Sequence, residues 1–319
     1  MSGVDISVRI ARIETVAERI KRVRLVPAVG GTLPTFSAGA HIVVTLRDGE
    51  RTIRNPYSLM GSPSDNTGYE ISVLKTNNAH GGSRLIHEKL HEGAVISISH
   101  PSNHFALDLR ARKHLLIAGG IGITPTMAMA EQLFNIGAAY EMHYSTRTLH
   151  SGAYVDQLKR RHGRRIHHYQ TASSPRMDMA TLLSQQPLGT HLYVCGPDKM
   201  IHDVLRIAKE AGWPSQHLHA EHFTAPRGGI PFDVVLARTR RTVRVEVDES
   251  ILQALESAGL EPPYLCRGGA CGQCETAVVS CEGSILHYDH YLTEEEKQAG
   301  QKIMLCVSRL KGSRITLDL

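Results

Sequence analysis

Residues 264–274 read Tyr-Leu-Cys-Arg-Gly-Gly-Ala-Cys-Gly-Gln-Cys. They set Cys266, Cys271 and Cys274 at C-x4-C-x2-C spacing, and Cys306 follows after 31 intervening residues. Thiolates so placed suit a 2Fe-2S centre, in which one tight loop supplies three ligands and a distant strand the fourth. Gly268, Gly269 and Gly272 lie between the ligands, where backbone N–H groups must approach the sulfides and some positions require φ > 0. A structural zinc fits badly, because its ligands come as pairs two to four residues apart. Cys281 falls outside the pattern and reads as a small apolar core residue.

The C-terminal stretch 232–319 built around this loop resembles the plant-type ferredoxins, which implies a β-grasp fold. Working outward, the whole chain has 319 residues, 41% hydrophobic and 21% charged, enough for two or three domains. Residues 231–319 carry 10 Lys+Arg against 13 Asp+Glu, while the rest carries 26 against 18. There is no block of five basic residues and aromatics make up 5%, so nucleic-acid binding is not expected. No run approaches the ~18 apolar residues that span a bilayer, and a membrane protein is not expected either. The opening MSGVDISVRI lacks the basic, apolar and small-residue succession of a signal peptide, so the expected compartment is the reducing cytoplasm. Histidines such as His167, His168, His217, His219 and His222 lack tight ligand spacing and read as solvated polar surface.

From residue 1 to 105 the pattern is short strands with turns: VRLVPA, AHIVVTLRDG, YSLMGSP, YEISVLKT and GAVISISHP. Tyr69, Ile71 and Val73 alternate with Glu70 and Ser72, the mark of a half-buried strand, and such strands at close spacing predict an antiparallel β-barrel. From Lys113 strands alternate with helices (HLLIAGG then TPTMAMAEQLF, EMHYSTRT, THLYVCGP then DKMIHDVLRIAKEAG), which predicts an α/β domain with a parallel sheet over 106–224. TAPRGGIP reads as a linker, counted as 225–231.

Three segments carry binding chemistry. In RNPYSL (Arg54–Leu59), Arg54 offers a guanidinium to a phosphate, Tyr57 a ring to pack on an isoalloxazine edge and Ser58 a hydroxyl to a flavin N5, with Leu59 closing the segment. In HGGSRLIHEKL (80–90), Gly81, Gly82 and Ser83 open a predicted helix and present bare N–H groups at its positive end. In AGGIGITPTM (118–127), Gly119, Gly120 and Gly122 lie between a strand and a helix, where a pyrophosphate can approach closely. Thr124 is the expected N-cap of that helix and Pro125 its first residue. The companion YVCGPDKM (193–200) puts Cys195, Gly196 and Pro197 at the end of a later strand, where parallel sheets bind ligands. Arg147 in STRT is positioned to meet a ribose phosphate.

In order and spacing the first two segments resemble the flavin-binding motifs of the ferredoxin reductase superfamily. The succession of flavin barrel (1–105), nicotinamide domain (106–224), linker (225–231) and ferredoxin (232–319) is similar to the phthalate dioxygenase reductase family, the reductase components of two-component Rieske oxygenases. The resemblance implies FMN rather than FAD, NADH as donor, a monomer, and a terminal Rieske oxygenase as acceptor. It also implies that Cys195 stands near the nicotinamide C4, with Glu221 and Phe223 at the nicotinamide–flavin contact. A stand-alone NAD(P)H flavin or quinone reductase and a cluster-bearing redox carrier or sensor are the alternatives. The negative balance of the last stretch favours a basic acceptor face, and Arg267, beside the first ligand, is either a docking contact or plain surface.

Overall fold

The computed structural model describes residues 5–49, 51–76, 81–173, 177–223 and 228–319. It divides into two compact units, Met1–Leu46 with Tyr57–Phe223, and Arg47–Pro56 with Thr224–Leu319. His80 of the glycine–serine segment and residues 224–227 of the expected linker lie outside the described residues.

The first sheet contains β1 (Ile6–Ala17), β2 (Ile20–Pro27), β3 (Ala40–Asp48), β4 (Arg51–Ser58), β5 (Tyr69–Leu74), β6 (Val95–Ile98) and β7 (Ser102–Asn103), with helix α1 (Gly82–Glu88) between β5 and β6. Its order is β4-β3-β6-β1-β2-β5 with β7 on β3, and the bridge Met60↔Glu70 joins the two ends. This bridge brings the two ends of the antiparallel sheet together, which gives the expected barrel. β4 begins at Arg51, six residues before the strand start read in YSLMGSP, with Pro56 tolerated because β4 ends the strand order. Along β5 the alternation holds for Tyr69, Ile71 and Val73, but Ser72 is buried as well. The reason is that the Tyr154 hydroxyl covers Ser72 Oγ at 2.5 Å.

The second sheet contains β8 (Lys113–Gly119), α2 (Ile123–Asn135), β9 (Tyr140–Thr146), α3 (Val155–His162), β10 (Ile166–Gln170), α4 (Met179–Ser184), β11 (Thr190–Cys195), α5 (Asp198–Glu210) and β12 (Leu218–Glu221). All its strand pairs are parallel, in the order β10-β9-β8-β11-β12. α2 is buried on most sides, and its Ala128, Met129, Ala130 and Leu133 lie in a core that also takes Ala38, Met60 and Phe105 from the barrel. Gln132 Oε1 accepts from the Ala38 N–H at 3.0 Å, and the Tyr193 hydroxyl accepts from the Asp108 N–H at 2.7 Å. The two sheets therefore share one interior. A 3-10 turn over Gly120–Gly122 leads into α2, so Gly122 caps the helix and Thr124 does not; Thr124 Oγ1 instead donates back to the Ile121 carbonyl at 3.0 Å, and Pro125 is the third helical residue.

The third sheet contains β13 (Phe232–Leu236), β14 (Thr242–Val245), α6 (Ile251–Ser257), β15 (Glu275–Leu286), α7 (Glu294–Ala299), β16 (Lys302–Met304) and β17 (Arg309–Leu317), ordered β14-β13-β17-β15-β16. β13 and β17 are parallel and the remaining pairs antiparallel. α6 starts at a capping box between Ser250 and Gln253 and buries Ile251, Leu252, Ala254 and Leu255, a helix laid on a mixed sheet as expected of a β-grasp. No helix among the described residues is long and apolar enough to cross a membrane.

Candidate functional site

The C-terminal unit gathers its thiols in two places. Cys266, Cys274 and Cys306 are buried, Cys271 is half-buried, and all are free. Cys274 Sγ lies 3.3 Å from Cys306 Sγ, so the loop and the turn after β16 meet as the spacing requires. Cys266 Sγ accepts from the Gly268 N–H at 3.4 Å. The Cys271 thiol, with the N–H groups of Gly268, Ala270 and Cys271, lowers Cys266 below the ordinary thiol range against burial. N–H donors aimed at a sulfur favour its thiolate form, the form that ligates metal. Backbone conformation follows the same need: Gly269 and Gly272 have φ of 74° and 77°, the left-handed region that glycine enters without strain. A Cβ on Gly272 would sit 2.3 Å from the Tyr291 ring, and one on Gly269 2.8 Å from Val307. The segment around Asp289 holds this loop: His290 N–H donates to Gly269 O at 3.0 Å, and Asp289 accepts from the Leu292 N–H at 2.9 Å and from Ser308 Oγ at 3.4 Å. Four converging thiols with this turn fit a 2Fe-2S cluster. Cys281 is a half-buried residue of β15 packed on the rim of the core.

Arg267 is neither a docking contact nor plain surface. It is 6% exposed, adopts φ 54°, forms a two-pronged ion pair with Glu256 of α6 (Nη1 to Oε2 3.0 Å, and the Nη2–Oε1 pair), and lies 3.9 Å over the Tyr264 ring. A non-glycine residue at positive φ has to be held by its side chain, and Glu256 does so here. Arg54 of the same unit also faces Glu256, at 3.4 Å. Spacing gave no sign of Glu256, which lies eleven residues before Arg267.

In the other unit, Tyr57 is half-buried, Ser58 and Leu59 are buried, and the Leu59 N–H donates to Ala40 O at 2.8 Å. Ser58 Oγ donates to Glu221 Oε2 at 3.5 Å. Glu221 is the register partner of Cys195 on the neighbouring strand, so Ser58, Cys195 and Glu221, far apart in sequence, come together. Cys195 is fully buried; burial, and then the Glu221 charge, push its thiol well above the ordinary range. It stays protonated, and a buried neutral thiol of this kind is chemically inert. The two glycine turns interlock: a Cβ on Gly122 would lie 2.3 Å from Cys195 O, one on Gly119 2.8 Å from Pro197 Cδ, and one on Gly196 3.0 Å from Gly119 Cα. Such close backbone approach is what a dinucleotide cradle requires at the strand ends. Gly120 adopts φ 54°, Thr124 and Pro125 are buried within α2, Pro197 and Phe223 are exposed, and Arg147 is exposed at the end of β9. Gly81 precedes α1, Gly82 is buried and Ser83 half-buried in its first turn.

Of the histidines read as solvated surface, His167 is exposed, whereas His168, His217, His219 and His222 are half-buried. His167 stacks on His143 with ring centroids 4.6 Å apart, His217 on His191 at 4.2 Å, and His219 on Tyr193 at 4.4 Å. Burial lowers His167 and His168 and brings His219 down to about 4. Parallel register sets His167 opposite His143 and His219 opposite Tyr193, while His217 meets His191 from the 3-10 turn before β12.

A family model for the dimethylamine monooxygenase subunit DmmA-like N-terminal domain matches residues 98–218, and one for the 2Fe-2S iron-sulfur cluster binding domain matches 234–311. The heme-dependent oxidative N-demethylase beta subunit of Ectopseudomonas mendocina is 43% identical over 98% of this chain and 99% of its own. The vanillate O-demethylase oxidoreductase of a Pseudomonas species is 38% identical over 98% and 100%. The solved phthalate dioxygenase reductase, described as a modular structure for electron transfer from pyridine nucleotides to a 2Fe-2S centre, superposes with TM-score 0.89 at 33% identity over 99% of this chain and 98% of that one. With its cysteine loop, interlocked glycine turns and three sheets in this order, the chain belongs to the phthalate dioxygenase reductase family of oxidoreductases.

Proposed function

We propose that the protein is an NADH-dependent reductase that delivers electrons, through FMN and its 2Fe-2S cluster, to a terminal oxygenase. The observation that carries this reading is the meeting of Ser58, Glu221 and Cys195. A serine hydroxyl within hydrogen-bond reach of a carboxylate, beside a neutral buried thiol, is suited to receive a nicotinamide against a flavin edge. When bound, the flavin supplies conversion of a two-electron hydride into single electrons, and the cluster supplies one-electron transfer. The chain's own residues do the rest. Ser58 and Glu221 hold a hydrogen bond at the reacting edge, and Cys195 excludes water there. The turns Gly119–Gly122 and Cys195–Pro197 orient the nucleotide, with Phe223 at the rim, and Cys266, Cys271, Cys274 and Cys306 hold the cluster. Arg54, Tyr57, Leu59 and the Gly81–Ser83 turn are assigned to the flavin. Thr124 and Pro125 shape the start of α2, and Arg147 borders the ribose. We assign 1–105 to flavin, 106–224 to nicotinamide, 225–231 to linker and 232–319 to the cluster, in a cytoplasmic monomer.

The family resemblance points to a Rieske oxygenase as acceptor, whereas the relative from Ectopseudomonas is named as subunit of a heme-dependent demethylase. Reconstitution with oxygenases of each kind separates the two. The test of the relay itself is Cys274→Ser. It is expected to lose cluster iron and oxygenase turnover while NADH still bleaches the flavin at the parent rate. Full oxygenase turnover in this variant would overturn the reading.

A further inference from the structure

On the β9–β10 side of the nucleotide sheet, Glu141, His143 and His167 each place one ligand atom within 4.8 Å of the others. The parallel register sets His167 opposite His143, and Glu141 stands two residues before His143 on the same face of β9. One carboxylate and two imidazoles make a donor set that zinc accepts, with a fourth position left for water.

A second observation points the same way. His143 is 5% exposed, and its Nε2 has no hydrogen-bond partner; it faces Glu141 Oε1 at 3.6 Å. The other ring nitrogen, Nδ1, lies 2.9 Å from the Tyr169 hydroxyl. An N–H donated there fixes the tautomer that leaves the Nε2 lone pair for a cation, the outer partner typical of metal-bound histidine. Gln186 Nε2 donates to Glu141 Oε1 at 2.8 Å while its own Oε1 is buried without a partner. Lys113 Nζ, 3.2 Å from Glu141 Oε2, is an opposing charge.

We propose that Glu141, His143 and His167 form a binding site for zinc. The exposed His167 ring turns out of its parallel stack on His143 to complete the set, and the ion ties the edge strand β10 to β9. Equilibrium dialysis of EDTA-washed holoprotein against zinc, with bound metal counted by elemental analysis, tests this. One zinc per chain is expected. His167→Ala, a change at an exposed position, weakens binding at least tenfold, Tyr169→Phe weakens it about tenfold by releasing the tautomer, and Lys113→Met tightens it. His217→Ala, outside the set, leaves it unchanged. Binding by His167→Ala equal to the parent's, or an equal loss in His217→Ala, overturns the proposal.

Discussion

Replacing Gly122 by alanine isolates the contact between the two glycine turns. Gly122 has an ordinary helical φ of −63°, so alanine brings no backbone strain there and the whole effect is steric. The added Cβ meets Cys195 O at 2.3 Å and Gly196 N at 2.7 Å. These are backbone atoms that no rotamer change moves, so the turns must part by roughly 1 Å. Overpacking of this kind costs about 1–3 kcal/mol. For a unit of about 200 residues that lowers the melting temperature by roughly 3 to 9 °C. A displacement of about 1 Å at a hydride-transfer site costs about 100-fold in rate. Stopped-flow reduction of the bound flavin by NADH, beside thermal unfolding, measures both. Gly120 supplies the control: it adopts φ 54° with nothing within 4 Å of an added Cβ, so Gly120→Asn, tolerant of that conformation, keeps the parent melting temperature while Gly122→Asn does not. A Gly122→Ala protein that melts within 1 °C of the parent and is reduced at the parent rate would refute the reasoning.

Glu256→Ala strands the Arg267 guanidinium, whose side chain is 4% exposed. Leaving a buried charge unpaired costs about 3–5 kcal/mol, so cluster loss on heating is expected well below the parent's, with Glu256→Gln intermediate. His41, buried in β3, is pushed down to about 4 by burial first and the neighbouring His104 charge second. The unfolded chain takes up this proton near pH 6.5 and the folded one only near pH 4. Stability is therefore full above pH 6.5 and declines as pH falls toward 4, by about 3 kcal/mol. Denaturant titrations at pH 7 and pH 4.5 should show that fall, and His41→Leu should flatten it; an equal fall in the variant excludes His41 as its source.

The cysteine loop was legible because ligand spacing is a local property of the chain, and the glycine turns were legible because strand, turn and helix follow one another directly. Other features depend on distant partners. β1 escaped detection because a register shift between Ile10 and Arg12 breaks its alternation, so Val8 and Ile10 point inward in one phase and Ile13 falls in the other. Thr124 carries the right chemistry for a cap, but Gly122 takes the position through its packing on Cys195. Arg267 looks like surface until Glu256 arrives from α6. Asp289 and Tyr291 gain meaning only when their segment closes on Gly269 and Gly272.

The interior shared by the barrel and the nucleotide sheet bears on how such a reductase can be recombined. Ala38, Met60 and Phe105 lie in the same core as Met129 and Tyr193, and a Cβ on Gly39 would already stand 2.0 Å from Phe105 O and 3.1 Å from Met129 Cε. A chimera cut at 105/106, intended to exchange nucleotide preference alone, would join two half-cores that never evolved to fit. The exchangeable piece is the pair of sheets together, and coenzyme preference and flavin seating are inherited as one.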